Sequence, residues 1–232
     1  MAFLNNNNVV VRGIASAVPA NTVHVRDIYR PEWGDVEDFI KATTVESLHI
    51  SLQNQTTSDL CVAAAEKLIA ELQWEKDSVD ALVLVTQTPD YYFVPATACH
   101  IQDRLGLSRN CLAFDVTLGC SGWVYGMGII SSMLNNGSIK RAILLAGDTC
   151  SKTANPEDQG AAPLFGDAGT ATALEFDDNN DSLGIKTALF TDGDGHDAII
   201  CREGAFRTPV TVNSFPYLSL IHISEPTRRV VI

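Results

Sequence analysis

The stretch from Leu112 to Gly137, LAFDVTLGCSGWVYGMGIISSMLNNG, narrows the choice of folds more than any other part of the chain. It opens as a short apolar run and passes through the turn Leu118-Gly119-Cys120-Ser121-Gly122. It continues with Trp123, Met127, Ile130 and Leu134 at near-fourfold spacing. That change of period predicts a strand, a tight turn and a helix. Asn136-Gly137 predicts the helix end, because glycine readily takes the left-handed conformation just past a last turn. The turn sets Cys120 at the helix N-terminus, where unpaired N–H groups and the helix dipole favour an anion. A thiolate is such an anion, so Cys120 is the candidate nucleophile. Glycines on both sides leave the backbone open to a substrate carbonyl.

The flanking chain alternates strand and helix patterns. Val9 to Val18 reads as a strand ended by Pro19, and residues 27–50 as loops with a short helix. Ser58 is a plausible N-cap for a helix to Leu72, with Leu60, Ala64, Ala65, Leu68, Ile69 and Leu72 on one face. Apolar runs at 80–88 and 140–148 have the composition of parallel strands covered on both sides. Ala96 to Leu105 reads as a helix stopped by Gly106, and Ala168 to Phe176 as a further strand. Residues 150–160 read as a polar loop, 177–181 as a turn, and 184–195 as a last strand and loop. The pattern predicts an α/β fold, a mixed and mostly parallel sheet flanked by helices.

Charge and cysteine usage narrow the function. A net charge of −12 over 232 residues argues against a nucleic-acid partner, which needs a basic surface. Six cysteines without a CxxC pair read as free thiols in a reducing compartment. No signal-peptide pattern opens the chain and no apolar run reaches membrane-spanning length, so the expectation is a cytoplasmic protein without a membrane partner. Neither a metal nor a cofactor is expected. For Cys61, Cys99, Cys111, Cys150 and Cys201 the expected state is inert.

Four blocks, VPATACHIQDRLGL, DVTLGCSGWVYG, NPEDQG and LFGDAGTA, stand in this order and together resemble β-ketoacyl-acyl-carrier-protein synthase III, a condensing enzyme of the thiolase superfamily. The resemblance implies a thiolase-like fold, of which residues 3–205 would be the N-terminal half, and a homodimer. It implies an acyltransferase of fatty-acid or polyketide-type biosynthesis, acylated on Cys120 by an acyl thioester and condensing that acyl group with malonyl-acyl-carrier protein. Gly119, Ser121, Val94, Phe165 and Gly166 are the implied substrate-binding residues. Gly166-Asp167-Ala168-Gly169 reads equally well as a tight turn feeding a strand. Asp115 reads as a strand-terminal cap.

The chain also departs from the family. Asp38, Ala42 and Gln159 stand where coenzyme A-using members carry a tryptophan and two arginines, which implies weak use of acyl-coenzyme A and delivery by a carrier protein or an unusual donor. The histidine and asparagine of the family's second half are absent, and none of the five histidines stands in its histidine motif. The tail, 206–232, does not continue the pattern. Its SLIHISEPTRR resembles translated adapter or vector read-through, so a truncated or chimeric chain is expected, and His222 reads as a solvated tail residue. Two alternatives follow: an acyltransferase on the same fold that does not decarboxylate, or an inactive fragment with its apolar sheet face exposed.

Overall fold

The computed structural model describes residues 2–178, 183–197, 199–201, 204–209, 211 and 221–223. They form two compact units. The first comprises 1–20, 51–149 and 167–190, the second 21–50, 150–166 and 191–232.

The first unit is built on a five-stranded sheet. Its strands are β2 (Val9–Ala17), β5 (Ala81–Val85), β6 (Leu112–Val116), β7 (Arg141–Thr149) and β8 (Asp167–Phe176), in the spatial order β2-β8-β7-β5-β6. β5 pairs in parallel with β6 and β7, whereas β8 is antiparallel to both β7 and β2. Four of the five strands therefore run one way, and the sheet is mixed and mostly parallel in direction, as the alternating pattern predicts. β1 (Ala2–Asn6) pairs antiparallel with β9 (Ile185–Leu189) as a separate ribbon.

Strand parity sorts the core. Leu82, Leu84, Ile143, Leu145, Ala171 and Ala173 point to one face, where they meet α3 (Thr57–Leu72) and α4 (Thr97–Leu105). Val83, Val85, Ala142, Leu144 and Leu174 point to the other, against Met127, Ile130 and Leu134 of α5 (Gly122–Leu134). Every residue of β5 is buried, which is why it carries no polar alternation.

Glycines set how close the helices come. A Cβ on Gly169 would lie 2.5 Å from the backbone carbon of Leu60, so β8 and α3 touch main chain to main chain. The glycine of the GDAG segment thus serves helix packing and not only a turn. On the other face, Gly122 and Gly126 of α5 lie flat on Val85 and Leu144.

Several sequence expectations shift. The N-cap of α3 is Thr56, not Ser58: Thr56 and Asp59 form a reciprocal capping box that starts the helix earlier. Gly106 ends α4 in the left-handed region, at φ 65°, as expected. The Asn5–Asn8 run ties the ribbon to α5: Asn6 donates to Ser132 Oγ and Asn8 to the carbonyl of Asn135. Trp123 shares the apolar spacing of α5 but stays 40% exposed, its indole N–H donating to Thr172 Oγ1. Ile14, the ladder partner of Thr172, is 60% exposed, and Val124 is also exposed, so part of this sheet face is bare apolar surface.

The second unit contains α1 (Val25–Ile28), α2 (Val36–Thr43) and the antiparallel pair β3 (Thr22–His24) and β4 (Ser47–His49). Val25, Ile40 and Leu48 form its small core. Asp35 caps α2 by accepting from the Glu37 N–H at 2.8 Å. Within this unit Gln159 donates to the Trp33 carbonyl at 2.9 Å, and the Arg30 guanidinium lies 5.4 Å over the Trp33 ring. β10 (Ile199–Cys201) pairs with β11 (Ile221–Ile223). Most of the 206–232 tail lies outside the described residues, as do 179–181 of the expected turn. His222 falls within β11.

Candidate active site

β5 and β6 are parallel and end side by side, Val85 opposite Val116, while the parallel β7 runs on from Ala146, opposite Val85, to Thr149. The chain leaves β6 at Val116, turns through 117–121 and enters α5 at Gly122. The turn closes with the Gly122 N–H donating to the Gly119 carbonyl at 2.8 Å. Cys120 occupies this turn and is exposed. Ser121, the N-cap residue, makes no side-chain cap bond to the first turn of α5. The site therefore lies outside the carboxyl ends of parallel strands, the usual ligand-binding edge of such sheets.

The seat of α5 fixes the turn. A Cβ on Gly122 would fall 2.3 Å from Val85 Cγ1, and one on Gly126 would fall 2.5 Å from Leu144 Cδ1. Only glycine lets the helix start so close to the end of β5, which carries the cysteine turn to the strand edge.

Asp115, one residue before the end of β6, caps a helix rather than its own strand. Its two carboxylate oxygens accept from the Thr97 and Ala98 N–H groups at 2.8 and 2.7 Å, closing the N-terminus of α4. Gly119, Cys120 and Ser121 are brought together in the turn. Val94 lies in the loop before α4, 80% exposed, and its peptide bond to Pro95 is cis. Phe165 and Gly166 belong to the second unit, where Phe165 is half-buried and a Cβ on Gly166 would lie 3.1 Å from the His49 carbonyl.

The other cysteines separate into two groups. Cys61 lies beneath the sheet, where burial, with Asp148 and Asp90 adding to it, pushes its thiol up to about 12. Burial, helped by Asp80, pushes Cys111 up to about 11. Both raised values keep the thiols protonated, the state expected of inert cysteines. Cys99 and Cys201 are exposed and Cys150 is half-buried, so burial does not silence them.

Sequence reasoning missed one residue that faces this turn and the carboxylate that holds its loop. Gln87 follows β5 and its carboxamide lies over Gly119; Asp148, near the end of β7, holds the Gln87 main chain at 2.7 Å. The only sequence signal was a polar TQT and a terminal Asp closing two apolar runs.

A mixed α/β sheet with an exposed cysteine on a glycine-flanked strand–helix turn is the arrangement expected of a thiolase-like N-terminal half. The 3-oxoacyl-[acyl-carrier-protein] synthase III profile matches residues 114–193. A putative 3-oxoacyl-[acyl-carrier-protein] synthase 3 from Campylobacter jejuni is 34% identical over 203 residues, covering 86% of this chain and 56% of that protein. The β-ketoacyl-[acyl-carrier-protein] synthase III of Rhodospirillum centenum is 33% identical over 86% of this chain and 62% of its own length. The crystal structure of a Burkholderia xenovorans 3-oxoacyl-(acyl-carrier protein) synthase superposes with a TM-score of 0.82 at 36% identity, over 88% of this chain and 58% of that one. The chain belongs to the 3-oxoacyl-[acyl-carrier-protein] synthase III family. It spans about half to three-fifths of the length of these relatives.

Proposed function

We propose that Cys120 is the acyl-accepting nucleophile of a fatty-acid-type condensing enzyme, and that residues 3–205 correspond to its N-terminal half. The observation that carries this reading is the exposed thiol on the turn into α5, before a helix whose N-cap residue, Ser121, makes no side-chain cap bond. In the first half-reaction the Cys120 sulfur attacks the thioester carbonyl. A new S–C bond forms, the donor's C–S bond breaks, and the donor thiolate leaves and takes up a proton. The Cys120 N–H supplies one donor to the oxyanion formed in between.

Gly119 and Ser121 border the acyl group in this reading, with Val94, Phe165 and Gly166 as further substrate-binding residues. The donor is an acyl-carrier protein, and the full-length enzyme condenses the acyl group with malonyl-acyl-carrier protein as a cytoplasmic homodimer. The names of the relatives support the carrier protein as partner, and β6 offers an unpaired sheet edge for a second copy.

The test is acylation of the 232-residue chain by butyryl-acyl-carrier protein and by butyryl-coenzyme A, read by peptide mass mapping. A butyryl adduct on the Cys120 peptide, absent in Cys120→Ala and formed faster from the carrier protein, is the expected result. An adduct confined to Cys99 or Cys201, or none at all, refutes the assignment. Carbon dioxide release from malonyl-acyl-carrier protein by a full-length relative carrying this segment separates condensation from simple acyl transfer.

A further inference from the structure

Four hydrogen bonds of the loop that follows β5 converge on one carboxylate oxygen. Asp148 Oδ1 accepts from Thr86 Oγ1 at 2.9 Å, from the Gln87 N–H at 2.7 Å, from the Thr88 N–H at 3.0 Å and from Thr88 Oγ1 at 2.9 Å. Thr88 Oγ1 accepts in turn from the Thr149 N–H at 2.8 Å. The Thr86 N–H donates to the Val116 carbonyl at 3.2 Å, and the Asp90 N–H to Thr97 Oγ1 at 3.0 Å. Asp90 also accepts from the Ser58 N–H at 3.0 Å. The main chain of 86–90 is thus tied to β6, β7, α3 and α4 at once.

From this fixed backbone one long, exposed side chain projects. The Gln87 carboxamide makes no hydrogen bond among the described residues, yet it is not free of contact. A Cβ on Gly119 would lie 2.6 Å from its Oε1, 2.9 Å from its Cδ and 3.1 Å from its Nε2. The carboxamide therefore fills the space that Gly119 leaves, one residue before Cys120. Packing alone would be served as well by leucine. What leucine lacks is two N–H donors beside the nucleophile.

We propose that Gln87 is a substrate-contacting residue, donating a hydrogen bond to an acceptor oxygen of the acyl group transferred to Cys120, and that Asp148 is the positioning residue that aims it. The proposal rests on Cys120 being the acyl acceptor. Two oxygens share the required chemistry: the thioester carbonyl and an oxygen on the β-carbon of the acyl chain.

The experiment measures the rate of acyl mass gain on the Cys120 peptide, over a range of donor concentrations, with butyryl- and 3-hydroxybutyryl-N-acetylcysteamine thioesters. The proteins are the full chain as wild type, Gln87→Leu, Asp148→Ala, Asp148→Asn and the double variant Gln87→Leu/Asp148→Ala. Gln87→Leu is expected to lower the rate about three- to tenfold, the size of one hydrogen bond to substrate, with its melting temperature unchanged. A drop shared by both thioesters assigns the contact to the carbonyl; a drop confined to the hydroxylated donor assigns it to the β-oxygen. Equal rates for Gln87→Leu and wild type with both donors overturn the proposal while leaving Cys120 in place. Absence of an adduct on Cys120 in every protein overturns the nucleophile assignment and this proposal with it. Asp148→Ala should reproduce the donor pattern of Gln87→Leu, with no further loss in the double variant. Asp148→Asn, which keeps the accepting oxygen, should stay near wild type. A loss in Asp148→Ala that ignores the donor pattern, or that adds fully to Gln87→Leu, refutes the positioning role. Should Asp148→Ala melt below the assay temperature, the Gln87→Leu and Asp148→Asn rates decide.

Discussion

Replacing Gly122 by alanine tests whether the helix seat governs the cysteine turn. The added methyl would fall 2.3 Å from Val85 Cγ1 and 3.2 Å from Leu118 Cβ. Carbon atoms in contact settle at about 3.5–4.0 Å, so something must yield by roughly 1 Å. Val85 is 4% exposed, sits on an inner strand and is β-branched, which leaves it little rotamer freedom. The start of α5 therefore moves. Overpacking of this kind costs about 1–3 kcal/mol, and alanine's better helix propensity offsets about 1 kcal/mol at most. The net loss of about 1–2 kcal/mol lowers the melting temperature by several degrees in a chain of this size. The same shift carries Cys120 away from its reactive position, and a displacement of about 1 Å can cost on the order of 100-fold in rate. Gly126→Ala provides the comparison: its methyl would fall 2.5 Å from Leu144 Cδ1, one helical turn farther from the cysteine. It should destabilise similarly and slow Cys120 less. The assay pairs thermal melting with the rate of acyl or iodoacetamide labelling of the Cys120 peptide. A Gly122→Ala protein that melts and reacts like wild type would falsify the claim that this contact sets the turn.

Two further outcomes follow from side-chain networks away from the turn. Asp115→Ala strips both hydrogen bonds from the start of α4 and should lower the urea unfolding free energy by about 1–2 kcal/mol, with Asp115→Asn recovering part of it; an unchanged midpoint in the alanine variant contradicts the capping role. The second concerns acid. Burial alone would raise the Glu175 carboxyl, but hydrogen bonds from Arg141 at 2.7 Å and Arg12 at 2.5 Å outweigh it and hold the group below its ordinary 4.5. Asp59 is likewise held below 3.8: burial opposes, and the Thr56 N–H and Arg104 prevail. A carboxyl with a lower value folded than unfolded stabilises the fold above its unfolded value and loses that contribution as protons bind below it. The melting temperature should therefore fall as pH drops below about 4.5, and Glu175→Gln should flatten the decline; parallel curves for the two proteins would count against the network.

How far the sequence alone reaches is clearest around Cys120. The change from strand to helix period, the glycine stops at 106 and 137, and the unbroken apolar runs of β5 and β7 are local signals. Each depends on a few neighbouring residues, so each was legible, and with them the α/β class and the cysteine at a helix start. The four family blocks are also contiguous text. The short β1 was missed because five residues that run into the asparagines carry too little pattern to declare a strand, and only its partner β9, far along the chain, completes it. Ser58 displaced Thr56 as the cap because both are good caps, and the choice rests on the reach of the Asp59 carboxylate.

What only the tertiary structure decided is who stands beside the sulfur. Gln87 and Gly119 meet because β5 and β6 pair in parallel, and Asp148 reaches the Gln87 loop across 61 positions of sequence because β7 pairs with β5 and runs on past its end. The exposed state of Cys120 and the buried states of Cys61 and Cys111 also come from which face of the sheet each helix covers. Local periodicity fixes the kind of element a segment becomes. Packing between distant segments fixes which polar groups converge, and a single sequence carries no local record of that convergence.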